Sequence, residues 1–219
     1  GICLPILLGN EEMIAKKAKE LDLDLEGIEI VNLRHDREMP RREKYARILA
    51  DKCRRDGYTF EEANDKMFER NYFGMMMVET GEADAFITGV YTKFSNTVKV
   101  AKEVIGIREP YKHFGSVHIL NSKRGTYYIA DTLINRSPDK EALKDIARLT
   151  ANTIKFFNDE PKIAMISYSN FGVDKEGSPR HMRDVVAEMQ EECPDLKIDG
   201  EMSVELALDH ERRDEKYPF

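Results

Sequence analysis

Apolar positions fall into short runs alternating with stretches of helical period. Leu4 to Leu8 reads as a short strand ending at Gly9-Asn10, after which Met13, Ile14, Ala18 and Leu21 recur at helical spacing among Glu and Lys. Ile28 to Leu33 is again strand-like, and Pro40 opens an amphipathic stretch through Tyr45, Ile48, Leu49 and Cys53 that Gly57 closes. Thr59 and Glu62 have capping-box spacing and predict one helix from about Phe60 to Thr80, ended by Gly81. Ala83 to Thr88 suits a strand buried on both faces; beyond the Gly89 to Phe94 loop, Val98, Ala101, Val104 and Ile105 mark a helix up to Gly106. Strand and helix alternate, which predicts an α/β protein with a parallel sheet and outer helices.

The pattern then changes. Val117 to Leu120 and Tyr127 to Ala130 are close strand-like runs joined by Asn121 to Gly125, a hairpin signal. Ser137-Pro138 is the predicted start of a helix through Leu143, Ile146, Ala147 and Ile154, which Pro161 stops; Ile163 to Ser167 is a buried strand. Ser178-Pro179 repeats the helix start ahead of Met182, Val185, Val186 and Met189, and Leu196 to Ile198 is strand-like. The change near Gly106 to Pro110 divides the chain into 1–109 and 110–219. It opens in a strand and stops at Tyr217-Pro218-Phe219 after a short helical stretch, so truncation at both ends is expected.

Composition narrows the class. With 219 residues, 41% hydrophobic and 34% charged, the chain has an ordinary globular balance that excludes disordered and collagenous classes. The longest apolar runs are far shorter than the roughly 18 residues a membrane helix needs, so no membrane role and a cytoplasmic setting are expected. A formal charge of −7 argues against nucleic acid as a partner, and the basic run Arg34 to Arg47 reads as a solvated face. Cys3, Cys53 and Cys193 form no CxxC pair, which points to buried or idle thiols. The five histidines show no metal-ligand spacing, and no metal is expected.

Two loops follow predicted strands, where open α/β sheets place their ligands. Thr88 to Lys99 offers hydroxyls, helix-start amides and lysines, a phosphate or carboxylate cradle or simply a capped helix start. Ser167 to Pro179 is long for a strand-to-helix connection, which favours function. Asp199-Gly200-Glu201 puts two carboxylates at a sheet edge or in a turn, and Met75-Met76-Met77 reads as core. No GxGxxG, Walker A or GxSxG pattern occurs. Pattern alone ends at an anion-binding α/β protein.

Six ordered motifs go further: Leu4-Pro-Ile-Leu-Leu-Gly9, Asn71-Tyr-Phe-Gly74, Gly81-Glu-Ala-Asp84 with Gly89, Ile129-Ala-Asp131, Ser167-Tyr-Ser169 and Asp199-Gly-Glu201. Together they resemble the phosphate acetyl/butyryltransferase family. Asp131 to Asn135 and Ser169-Asn-Phe-Gly172 look most like the carboxy-terminal, phosphotransacetylase-like domain of bacterial NADP-dependent malic enzymes. The resemblance implies two α/β/α subdomains with a cleft, an isocitrate/isopropylmalate dehydrogenase-like (phosphotransacetylase) fold, a homo-oligomer (dimer or higher), and acetyl-CoA or a related acyl-CoA as effector. NADP and a divalent metal are implied only for a malate-oxidising half preceding this domain. The implied ligand residues are Thr92, Lys93, Ser95, Thr97 and Lys99 on the first loop, and Ser167, Ser169, Asn170, Gly172 and Glu201 on the second side.

The same resemblance exposes departures from working transferases. Those enzymes carry an Arg where Cys53 aligns, Ser-Thr where this chain has Lys93-Phe94, an Arg at Lys99, and Ser-Thr-Lys-Gly where Asn170-Phe171 precede Gly172. Their Ser-Arg catalytic motif would fall beyond Phe219. The expected reading is a regulatory and oligomerisation domain without catalytic residues of its own, the alternatives being an active phosphate acetyltransferase or a purely structural oligomerisation module.

Overall fold

Among residues 2–218, which the computed structural model describes, β-structure forms three separate two-stranded ladders. The chain divides into two compact units, Gly1–Gly106 and Ile107–Phe219.

In the first unit β1 (Ile6–Leu8) pairs in parallel with β2 (Glu29–Val31), Ile6 opposite Glu29, and α1 (Glu11–Glu20) forms the crossover. Asn10 starts that helix, its side-chain oxygen accepting from the Met13 amide at 2.9 Å. Next come α2 (Met39–Lys52), with Pro40 in its first turn, α3 (Phe60–Lys66), α4 (Arg70–Glu79) and α5 (Phe94–Val104). Tyr45, Leu49, Met67, Phe73 and Met76 are fully buried where these helices meet. The Tyr45 and Phe73 rings meet edge to face at 5.2 Å. Burying each such side chain contributes about 1.5–3 kcal/mol.

Two expectations for this unit are corrected. The helix predicted over Phe60 to Thr80 is two, broken at Met67 to Glu69, with Glu69 in an extended conformation at the head of α4. Every residue from Asn71 to Met77 is buried, so α4 must be covered all round, whereas α3 keeps Glu61, Glu62 and Asp65 in solvent. One straight helix cannot satisfy both surroundings. The segment Ala83 to Thr88 is not a strand: it pairs with no other, and Ile87 is exposed. It is held by α4 instead, with the Phe86 ring against Gly74.

The basic run is also less solvated than its composition suggests. Arg42 is buried, donates to the Leu33 and His35 carbonyls at 2.7 and 2.9 Å, and lies 4.6 Å over the Phe68 ring. Arg41 and Lys44 converge on Glu82 at 3.1 and 2.8 Å, where the Tyr45 hydroxyl also donates.

The second unit opens with the antiparallel hairpin β3 (Val117–Ser122) and β4 (Gly125–Ala130), tighter than predicted because Ser122 pairs with Gly125. α6 (Lys140–Phe156) follows. Its cap is Asp139, which accepts from the Ala142 amide at 2.8 Å, so the helix begins two residues beyond Pro138. β5 (Lys162–Ile166) and β6 (Lys197–Met202) pair in parallel across α7 (Gly177–Glu192), in which Pro179 is the third residue and buried. Short helices α8 (Val204–Leu208) and α9 (His210–Lys216) complete the unit. Met165, Val185, Val186, Met189 and Ile198 form its core. Asp199-Gly200-Glu201 lies inside β6 rather than in a turn.

Asp131, after β4, gathers the hairpin base. Its carboxylate accepts from the Ser116 amide and hydroxyl at 3.0 and 2.5 Å and from the Asn135 amide and side chain at 2.8 and 2.7 Å. Burial pushes this carboxyl up, but the donors from Ser116 and Asn135 outweigh it and hold it far below the carboxylate range.

Candidate functional site

The first candidate loop ends at the head of α5. Lys93 occupies the cap position with an extended backbone and makes no side-chain capping bond, so the simple capped-start reading does not describe it. The positive end of the helix dipole is left to the surroundings. Thr92, Lys93 and Ser95 are exposed there and Thr97 is half-buried. The Thr92 and Thr97 hydroxyls lie 3.3 Å apart, Asn71 Nδ2 donates to Thr97 Oγ1 at 3.4 Å, and Thr88 Oγ1 donates to Asn71 Oδ1 at 2.8 Å.

Lys99 belongs to another cluster, one turn further on. Its ammonium lies 3.7 Å from Glu103, whose other oxygen accepts from the Tyr58 and Tyr72 hydroxyls at 2.7 and 2.6 Å. Burial, and then the Glu103 carboxylate, push the Tyr58 hydroxyl up to about 12. For Glu103 burial acts upward, and the two tyrosines with Lys99 and Lys66 hold it below its ordinary value. Cys53 is packed into the core beside this cluster with its thiol 3.6 Å from the Glu103 carbonyl, and burial pushes the thiol up.

The second loop hangs between β5 and α7 and is pinned to β6. Asn170 Oδ1 accepts from the Ser203 amide at 2.8 Å, the Phe171 amide donates to the Glu201 carbonyl at 2.8 Å, and the Gly172 amide donates to Glu201 Oε1 at 2.7 Å. Ser167 Oγ accepts from the Ser169 amide at 3.4 Å, and Ser169 Oγ from the Asp174 amide at 3.0 Å. Tyr168, Ser169, Asn170, Val173 and Asp174 line an open hollow of about 430 Å³. Glu201 itself is 0% exposed: its Oε1 anchors the loop from beneath, while its buried Oε2 has no hydrogen-bond partner among the described residues.

Sequence reasoning missed three residues here. In the sequence Asn71 stands out only as part of a motif. Arg183 of α7 lies 3.6 Å from Glu201 Oε1 and 3.0 Å from where a Cβ on Gly172 would sit. The sequence places Thr88 in the loop but does not show its link to Asn71 of α4. An amphipathic pattern marks Asn71 and Arg183 only as polar positions on helices, and their partners are far away in sequence.

Among the described residues no group of three or more His, Cys, Asp or Glu side chains is placed to hold a metal ion, and no helix is long and apolar enough to cross a membrane.

The family model described as phosphate acetyl/butaryl transferase matches residues 1–219. The chain belongs to this family. It is 35% identical over 222 residues to the NADP-dependent malic enzyme of Salmonella typhimurium, covering 100% of this chain and 29% of that protein. It is also 35% identical over 204 residues to the phosphate acetyltransferase of Bacillus subtilis, covering 93% of this chain and 62% of that protein. A phosphotransacetylase from Streptococcus pyogenes has a similar structure, with a TM-score of 0.82 at 29% identity over 98% of this chain and 64% of that one. The transferase-family chain therefore spans less than a third of the malic enzyme and less than two thirds of the acetyltransferase. Its fold is α/β and phosphotransacetylase-like.

Proposed function

We propose that this chain is the acetyl-CoA-sensing regulatory and oligomerisation domain of an NADP-dependent malic enzyme, without transferase activity of its own. The observation that carries the reading is Cys53. Where the resemblance puts a phosphate-binding guanidinium in working transferases, this chain buries a thiol in its helical core. A thiol offers none of the paired, charged donors through which arginine grips a phosphate. Lys99 adds to the argument, since it faces Glu103 and a lysine cannot reproduce a bidentate grip. Each lost donor to a developing oxyanion costs about 3–4 kcal/mol in the transition state, so losing several removes useful turnover.

Binding needs less than catalysis. Within the first unit the uncapped head of α5 with Thr92, Lys93, Ser95 and Thr97 offers amides, hydroxyls and a lysine suited to the phosphates of acetyl-CoA; the second unit has its own polar hollow with Ser169 and Asn170. The same reading takes 1–109 and 110–219 as two α/β/α subdomains of the dehydrogenase-like kind, in a homodimer in the cytoplasm. NADP and the divalent metal belong to the malate-oxidising half of the parent enzyme.

A second reading, an active phosphate acetyltransferase, is favoured by the similarity to the Bacillus subtilis enzyme. One experiment on the full-length protein separates them: acetyl-phosphate formation from acetyl-CoA and phosphate, alongside calorimetric titration with acetyl-CoA. The regulatory reading expects binding without turnover. Turnover within the usual enzymatic range of about 1–1,000 per second overturns it in favour of the transferase, and absence of binding overturns both.

A further inference from the structure

We propose that Asn71 is the positioning residue of the Gly89–Lys93 loop, holding it in the shape that presents the head of α5 to an acyl-CoA phosphate; this rests on the ligand reading of that loop given above. Asn71 is only 9% exposed, on the second residue of α4. Its carboxamide is used at both ends: Oδ1 accepts from Thr88, the residue just before the loop, and Nδ2 donates to Thr97 in the first turns of α5. Through the Thr97 hydroxyl the link reaches Thr92, immediately ahead of the helix cap. One buried amide thus ties both stems of the loop to α4.

The loop has little else to define it. Val90 and Tyr91 are more than 90% exposed, so no packing fixes their backbone. Gly89 and Val90 both have positive φ, +149° and +64°; Val90 sits at the centre of a three-residue turn closed by the Tyr91 amide donating to the Gly89 carbonyl at 2.8 Å, a positive φ that is unfavourable for a β-branched residue. The surroundings must impose it. Gly74 lies one turn after Asn71 on α4 and lets the Phe86 ring rest on the helix, which fixes the approach to Thr88. The position needs a side chain that donates and accepts at once: ionised Asp accepts only, and Leu does neither.

The test uses the full chain in two variants. Asn71→Asp removes the donor, and because a buried charge can impair folding, Thr97→Val removes the acceptor while leaving α4 untouched. Backbone NMR order parameters are measured for Val90 to Lys93, with α2 as the internal control, and acetyl-CoA is titrated into each protein. The expected result is a loop as rigid as the helices, about 0.85, in the parent chain and below about 0.6 in the variants. Acetyl-CoA affinity is expected to fall about tenfold in both. Order parameters unchanged in Thr97→Val overturn the positioning role. A loop that loosens while acetyl-CoA affinity stays constant supports the positioning role and instead overturns the ligand reading of the loop.

Discussion

A Cβ placed on Gly74 would lie 2.3 Å from the Phe86 ring, a separation that carbon atoms do not tolerate. Gly74 therefore sits mid-helix in spite of its low helical propensity, because the segment Ala83 to Thr88 crosses α4 at that point. Gly74→Ala is expected to destabilise the first unit by about 1–3 kcal/mol, since overpacking at a closed contact outweighs the gain in propensity. Urea denaturation checks it, and a variant as stable as the parent would mean that Phe86 has room to move. Glu201 teaches the complementary lesson in the second unit. Its motif implies a ligand contact, and its complete burial and its bond to the Gly172 amide make it part of the loop's foundation as well.

At the scale of elements, local chemistry was readable wherever it acts within one or two turns. The capping box is an instance: Thr59 Oγ1 accepts from the Glu62 amide at 3.1 Å and Glu62 accepts from the Thr59 amide at 3.0 Å, as the spacing predicts. Thr59→Ala should cost about 0.5–2 kcal/mol, measured as a lower midpoint of thermal unfolding, and Thr59→Ser should restore most of it. Failure of serine to rescue would show that the methyl group, not the hydroxyl, matters. What the pattern could not give was the surroundings. The break at Met67 to Glu69 follows from α4 being enclosed on all sides, and the unpaired state of Ala83 to Thr88 follows from which edges are available. Neither is written in hydrophobic period. Likewise the first loop's hydroxyls could be picked out in the sequence, while the turning of Lys99 toward Glu103 depends on Tyr58 and Tyr72, which arrive from distant segments.

Across the whole molecule, several carboxylates are bound so that their charged form is preferred in the folded state. Glu82 and Glu103 in the first unit and Asp131 and Asp145 in the second are each pushed up by burial and pulled down further by their donors, ending below their ordinary values. For Asp145 the donors are the Lys112 and His113 amides and the His113 ring. A depressed folded pKa means that the unfolded chain binds protons first as pH falls. The stabilisation is therefore complete above the ordinary values of 4.5 for Glu and 3.8 for Asp, and is lost progressively as pH drops below them toward the folded values. Stability should be flat from about pH 7 to 5 and then fall with a slope of up to about 1.4 kcal/mol per pH unit for each such group. Asp131 is the sharpest single test because its shift is the largest of the four and its donors come from two residues, Ser116 and Asn135. Asp131→Asn should cost about 1–3 kcal/mol at pH 7, where donors from Ser116 and Asn135 lose their charged acceptor. The gap to the parent should narrow as pH falls below about 4, since only the parent's carboxylate loses stabilisation there. Urea denaturation at pH 7, 5, 4 and 3 reads both effects, and a gap that stays constant down to pH 3 would show that the Asp131 carboxylate titrates alike in the folded and unfolded chain.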